Sequence, residues 1–390
     1  MNFGRCVFAQ VIDLIPRRTF ESAIERYRIG HRPLRLSCRD QLLCMVFAQL
    51  TGRSSLRDTV LCLRALGSRR YHLGIGHKPA RSTLADANEQ RDYRIFMDTA
   101  LSMIHSAQLQ LPVDPHLRRI NIRSAYALDS TTIDLCLAIF PWARFKRTKG
   151  AIKAHVLMDL CTGLPVFMRI SNAKASDVST MVHLAYLPGA VYVMDRGYID
   201  FVRLARLCDS GAIFITRPKR RMNFRVVKRL KVDPASGVVR DRIIRLRGQR
   251  SRHIGNRPVR LIRYVDPIGG RRMNFLTNHL ELPASQVALL YRRRWKIELL
   301  FKWMKQHLLI KSFFGTSPNA VKWQLWIAVI VLVLIHRLKH QLQLRQTANE
   351  IAQILSVTLI EKTPLNQAFF EEHDHFTESS DRNQLKLFNL

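Results

Sequence analysis

The spacing of apolar residues changes near Ser124, and that change limits the folds open to this chain. Before it the pattern is helical. Arg39 to Leu50 is apolar at helical spacing, Thr51-Gly-Arg-Ser-Ser breaks the run, and Ser55-Leu-Arg-Asp58 resembles a capping box opening a second helix to Leu66. A third helix begins at Ser82-Thr-Leu-Ala-Asp, after a turn from Gly74 to Pro79. Beyond Ser124 the segments Tyr126 to Leu135, Ala151 to Leu160, Leu164 to Ile170, Ala190 to Met194 and Ala212 to Thr216 alternate or are β-branched, and are predicted strands. Leu160-Cys-Thr-Gly163 joins the second and third as a hairpin. Helices are predicted over Val178 to Leu187 and Ile199 to Cys208. Three strands followed by alternating helix and strand describe an α/β domain with a mixed central sheet.

Charge narrows the partner. The 390 residues carry 63 Lys and Arg against 29 Asp and Glu, a net charge of +34. That self-repulsion is costly unless a polyanion neutralises it, and nucleic acid is the leading candidate. Between Arg217 and Arg272 stand 19 basic and 3 acidic residues, nearly half of the excess. Phe224 to Leu230, Val238 to Leu246 and Val259 to Val265 interleave those cations with Val, Ile and Leu, separated by turn signals. This is a β-rich insertion with one apolar and one cationic face, able to follow a phosphate backbone. Seven scattered cysteines without a C-x-x-C pair predict reduced thiols of a cytosolic protein, with neither a disulfide frame nor a zinc site. No signal peptide is expected ahead of Asp13 and Arg17. The longest apolar run, Leu325 to Ile335, is short for a membrane span and is predicted to be a buried core helix.

The chemistry concentrates in Tyr291-Arg-Arg-Arg-Trp-Lys-Ile-Glu298-Leu-Leu-Phe-Lys-Trp-Met-Lys305. Read as one helix, it lines Tyr291, Arg294, Glu298 and Lys305 along one stripe, while Leu289, Leu290, Ile297, Leu299, Leu300 and Met304 are left to pack. A carboxylate among cations stays ionised, which suits metal binding better than general-base work. Two further acids stand where an α/β enzyme presents them. Asp129 lies inside an apolar strand in Ala127-Leu-Asp129-Ser-Thr-Thr132, and Asp195 ends a strand in Val191-Tyr-Val-Met-Asp195-Arg-Gly-Tyr198. On position alone each is equally explained as a cap or a turn residue. Asp134, Asp159, Asp177 and Asp200 are other available acids. Lys153-Ala-His155, near Asp129, is either a DNA contact or a lysine beside a core histidine. Three converging carboxylates would suit two Mg²⁺ ions and in-line displacement at phosphorus.

These motifs resemble the DDE-type transposases of bacterial insertion sequences, specifically insertion-sequence family four. Its signature, Y-x2-R-x3-E-x6-K, is matched at Tyr291, Arg294, Glu298 and Lys305, with Asp-Ser-Thr at Asp129 and Asp-Arg-Gly-Tyr at Asp195. The resemblance covers roughly residues 30 to 340. It implies an α/β, ribonuclease H-like catalytic domain over 122–340, interrupted by a β-rich basic insertion at 217–285. An all-helical DNA-binding domain over 1–110 and a helical tail over 341–390, with a frayed end at Glu371 to Asp381, complete the expectation. Also implied are catalytic and metal roles for Asp129, Asp195 and Glu298, with Mg²⁺ as cofactor and Mn²⁺ as substitute. Tyr291, Arg294 and Lys305 would contact phosphates of double-stranded DNA. The partners would be terminal inverted repeats and target DNA, in a homodimeric paired-end complex on the bacterial nucleoid in the cytoplasm, with no membrane. Trp295, Trp303 or Trp323 would be open to receive a flipped base or to pack in the core. The alternatives are a ribonuclease H-like DNA nuclease without strand transfer, or a catalytically inactive, domesticated DNA-binding protein.

Overall fold

The structure, a computed structural model, describes residues 4–27, 36–76, 78–110, 115–120, 122, 124–267, 269–307 and 313–370; the acidic Glu371 to Asp381 end lies outside them. Two compact units are formed, Met1–Met103 with Met304–Leu390, and Ile104–Trp303. In chain order the first helices are α1 (Val7–Ile12), α2 (Arg17–Tyr27), α3 (Cys38–Leu50), α4 (Leu56–Ala65), α5 (Arg81–Gln90), α6 (Arg94–Gln110) and α7 (Pro115–Arg119). The sheet-bearing segment adds α8 (Phe201–Asp209), α9 (Ala284–Arg293) and α10 (Trp295–His307). Last come α11 (Pro318–Gln341), α12 (Ala348–Thr358) and α13 (Leu365–Phe370).

Side-chain caps explain where several helices start. Ser55 accepts from the Asp58 amide at 3.1 Å and caps α4, but the reciprocal half of a capping box is missing, because the Asp58 carboxylate accepts from Ser54 Oγ at 3.0 Å. Thr347 and Glu350 form a reciprocal capping box at α12. The helix α11 is the core of the first unit. Its 24 residues are long and apolar enough to cross a bilayer, yet every residue from Leu325 to Ile335 is at most 3% exposed. Burial on all sides is what an all-apolar helix requires, and here protein supplies it. Glu89 accepts from the Thr316 amide just ahead of this helix, and Gly315 leaves room for that carboxylate: a Cβ there would sit 2.6 Å from Glu89 Oε1.

In the second unit nine strands form one sheet in the order β3-β2-β1-β4-β5-β9-β8-β7-β6. They are β1 (Ala125–Leu135), β2 (Gly150–Asp159), β3 (Pro165–Asn172), β4 (Val191–Met194), β5 (Ile213–Thr216), β6 (Phe224–Arg229), β7 (Val238–Leu246), β8 (Val259–Val265) and β9 (Arg272–Thr277). The first three strands pair antiparallel, β1-β4-β5 run parallel, and the rest are antiparallel, so the sheet is mixed. The basic strands therefore continue the main sheet through β9, which pairs with both β5 and β8. That strand is absent from the sequence reading because Arg272-Met-Asn-Phe-Leu-Thr carries only a brief apolar run.

Three further expectations need correction. Val178 to Leu187 is not an α-helix; a 3₁₀ stretch covers Asp177–His183 and the backbone is extended by Leu184, since a helix carried on into Pro188 would set its ring against the Leu184 carbonyl. The Tyr291 to Lys305 helix is two, α9 and α10. Around Arg294 the bonds tighten to an i→i+3 pattern, from the Arg294 amide to Tyr291 and from the Ile297 amide to Arg294. Arg294 keeps helical torsions, so the stripe of side chains survives the break. Leu299, expected to pack, is 52% exposed beside the exposed Trp295, on the face of α10 away from buried Ile297, Leu300 and Met304.

A buried ion pair ties the basic strands to the helix that follows. Arg260 Nε and Nη2 donate to the two Asp241 oxygens at 2.8 and 2.5 Å, with both side chains at most 5% exposed. The same guanidinium donates to the Leu280 and Leu282 carbonyls, just ahead of α9. Breaking such a pair leaves a lone charge in a dry interior. Asp241→Ala should therefore lower unfolding free energy by about 3–5 kcal/mol in denaturant titrations. A loss under about 1 kcal/mol would show that water already reaches Arg260.

Candidate active site

Asp129 and Asp195 leave neighbouring parallel strands side by side. Leu128 on β1 and Met194 on β4 are register partners, and each acid is the next residue. Adjacent strands lie about 4.8 Å apart, so the two acids emerge close together at the same end of the sheet. Alternation places Leu128 and Met194 in the apolar cluster on one face of the sheet, and sends Asp129 the other way. Helix α9 packs across β4 and β5, carrying Tyr291 and Arg294 to this end.

One guanidinium joins strand acid to helix acid. Arg294 Nη1 donates to Asp129 Oδ2 at 3.0 Å, and its Nη2 donates to Glu298 Oε1 at 2.6 Å. The Arg294 side chain is 14% exposed, and its Nε is buried without a hydrogen-bond partner. The guanidinium carbon lies 5.7 Å from the centre of the Tyr291 ring, within cation–π range. Tyr291 is itself buried against Phe275, and its hydroxyl donates a long 3.4 Å bond to Asp195 Oδ1. Burial raises the Tyr291 hydroxyl above its ordinary value, so it stays a neutral donor. Lys305 lies seven residues after Glu298 on α10, two turns along the same face.

Burial also dominates Asp129. It pushes the carboxyl up to about 6, despite the opposing pull of the Ser130 amide at 2.8 Å and of Arg294. The repulsion of Glu298 and Asp195 adds to the rise. This carboxylate is short of positive charge even with Arg294 bound. A carboxylate offers hard oxygen donors of the kind that divalent cations take. Among the described residues, no three His, Cys, Asp or Glu side chains stand as a group placed to hold a metal ion. The space between Asp129 and Glu298 is taken by Arg294.

A family model described as a transposase DDE domain matches residues 121–334, more than half of the chain. The chain belongs to the DDE transposase family. A second model, described only as a domain of unknown function, matches residues 4–76. The chain is 33% identical to the transposase y4zB of Sinorhizobium fredii, over 66% of this chain and 71% of that one. It is 29% identical to a transposase for insertion sequence element IS5377 of Geobacillus stearothermophilus, over 55% and 56%. A solved synaptic complex of piggyBac transposase with hairpin DNA aligns over 96% of this chain and 80% of that one, at 10% identity and a TM-score of 0.42, too weak a likeness to bear on the fold. This protein is an enzyme of DNA transposition.

In this transposase the sequence motifs give the acids, but not how the chain arranges them. The pairing of Arg294 with both Asp129 and Glu298 has no signature beyond the i, i+4 spacing to Glu298. Arg217, one residue past β5, also acts electrostatically on the Tyr291 hydroxyl. Its position at a strand end was the available signal. His155 is fully buried, with Nε2 2.8 Å from Ser171 Oγ, and burial lowers it to about 4. It is a neutral core histidine, and not one exposed to DNA.

The raised Asp129 carboxyl makes a signed prediction for metal-free protein. Between about pH 4 and 6 the folded transposase holds a proton that the unfolded chain has released, so stability falls as pH rises through that window and levels off above it. Asp129→Asn removes the titration. In chelator, its stability relative to wild type should be greater at pH 8 than at pH 4 by roughly 2–3 kcal/mol. Thermal unfolding at the two pH values reads this difference; a constant offset would contradict the burial of a charged Asp129.

Proposed function

We propose that this transposase cuts and joins DNA at the terminal inverted repeats of its element in a Mg²⁺-dependent reaction, with Asp129, Asp195 and Glu298 as the metal-holding triad. The observation that carries this reading is the fork of Arg294 between Asp129 and Glu298, with Asp195 leaving the neighbouring strand and accepting from the Tyr291 hydroxyl. The strand order 3-2-1-4-5, antiparallel then parallel, supports a ribonuclease H-like catalytic domain. The matched span 121–334 supports a catalytic domain over 122–340 with its basic insertion at 217–285. Helical residues 1–110 are then the DNA-binding region, and two copies hold the paired ends.

A bound divalent ion, Mg²⁺ or Mn²⁺, would activate the attacking water or 3′-hydroxyl and neutralise the leaving oxygen. Asp129, buried and under-compensated, would be the shared ligand. Arg294, which now bridges Asp129 and Glu298, would then be available to a DNA phosphate. Tyr291 keeps Asp195 oriented, and Lys305 extends the cationic edge along α10. Beyond the site, Arg225 stands opposite Arg245, Arg229 opposite Arg242, and Arg240 opposite Arg263 on paired strands. Like charges directly opposite on a sheet are destabilising, and a phosphate backbone relieves them.

Two measurements test this reading on a labelled duplex of the element's end. Asp129→Ala, Asp195→Ala and Glu298→Ala should each lower the cleavage rate in Mg²⁺ by roughly a thousandfold or more while leaving gel-shift affinity within about twofold. Loss of binding in all three would contradict a metal role. Affinity itself should fall by about a thousandfold between 50 and 200 mM salt. Cleaved but never joined product would identify a nuclease instead.

A further inference from the structure

Behind Asp129, on the opposite face of β1, lies a polar network that the proposed reaction does not use. Ser130 faces His155 across β1 and β2, and Thr132 faces Lys153. One strand further, Lys153 faces Ser171 and His155 faces Arg169. Opposed residues share a face, so Ser130, Lys153, His155 and Ser171 point to one side of the sheet while Asp129 points to the other. The chain leaves β3, turns through Ala173–Ser176 and returns Asp177 over this side, at the start of the 3₁₀ stretch.

Asp177 is the hub. Its Oδ1 accepts from Ser130 Oγ at 2.6 Å and from Lys153 Nζ at 3.0 Å. Lys153, 16% exposed, also donates to the Ala175 carbonyl at 3.0 Å, which fixes the turn that carries Asp177. His155 completes the floor. Its Nε2 lies 2.8 Å from Ser171 Oγ, which itself donates to the Asn172 carbonyl at 3.2 Å. The Nδ1 atom is buried without a hydrogen-bond partner, 3.9 Å from Asp177 Oδ1. A fully buried polar atom left without a partner is costly, and its retention beside a carboxylate needs a reason beyond packing.

Ser130 supplies the link to the other face. Its hydroxyl is held by Asp177 from behind, and its amide donates to Asp129 Oδ1 at 2.8 Å in front. Fixing the Ser130 side chain fixes the peptide plane that aims the Asp129 carboxylate. We propose that Asp177, braced by Lys153 over the His155 floor, is a positioning residue that sets the metal-binding orientation of Asp129 through Ser130. The inference rests on the metal-triad reading above. Residues that orient a metal ligand characteristically change metal affinity by about 10–100-fold when altered.

Mn²⁺ binding to the full-length chain, followed by calorimetry without DNA, tests the inference apart from turnover. Asp129→Ala should lose the site. Asp177→Asn and Ser130→Ala should each bind about tenfold more weakly, and the double variant no more weakly than the worse single one, because both act through one hydrogen bond. Thermal unfolding midpoints report folding alongside, and Ser130→Ala, which removes one hydroxyl, keeps the test valid if Asp177→Asn fails to fold. Wild-type affinity in Ser130→Ala and Asp177→Asn, with Asp129→Ala still deficient, overturns the positioning role. Wild-type affinity in Asp129→Ala overturns the metal assignment itself, and the inference with it.

Discussion

The fork of Arg294 between Asp129 and Glu298 is the contact on which the site depends. It spans two elements 165 residues apart in sequence, a strand in the middle of a sheet and a helix beyond the basic insertion. Without a cation there, acids drawn from β1, β4 and α10 would repel in a partly buried site. Burial has already lifted Asp129 to about 6, so even this guanidinium leaves the charge incompletely balanced. Burial therefore makes this carboxyl hold its proton more tightly than a free aspartate does. The cation–π contact with Tyr291 holds the guanidinium from one side while the carboxylates hold it from the other.

The same sheet carries both the acids and the excess charge. Strand β9 joins β5 to β8, so the arginine-rich strands extend the sheet that presents Asp129 and Asp195. The buried Asp241–Arg260 pair then secures those strands to the residues entering α9, whose end delivers Tyr291 and leads into Arg294. In the proposed reading, phosphate binding and carboxylate placement share one sheet, as precise chemistry requires. A transposase has to hold a long polyanion still while a single phosphodiester is exchanged, and the arginine-rich strands belong to the same sheet as the strand acids.

Much of this was legible before the structure. The period-2 runs gave β1 to β5 to within a residue or two at most ends, and the arginine-interleaved runs gave β6, β7 and β8. Ser55 and Asp58 marked the start of α4, and the apolar run within α11 marked a core helix. What could not be read follows from tertiary context. Nothing local to Arg272–Thr277 says that this segment bridges two groups of strands. Pro188 is a visible signal against a helix over Val178 to Leu187, where the apolar spacing alone points to one. Arg294 was identified through its motif as a phosphate contact; its partnership with Asp129 needed the fold to bring them together. Asp177 looked like one spare acid among several until the β1–β2–β3 register placed Ser130, Lys153 and His155 beneath it.

The central claim is that these acids share a divalent cation at the place Arg294 now bridges. Diffraction from Mn²⁺-soaked crystals at the manganese edge tests it most directly. The account predicts an anomalous peak in contact with Asp129 and with Asp195 or Glu298, accompanied by withdrawal of the Arg294 guanidinium from at least one carboxylate. A Mn²⁺-saturated crystal with no peak at Asp129 and with Arg294 still bound to both acids would contradict it.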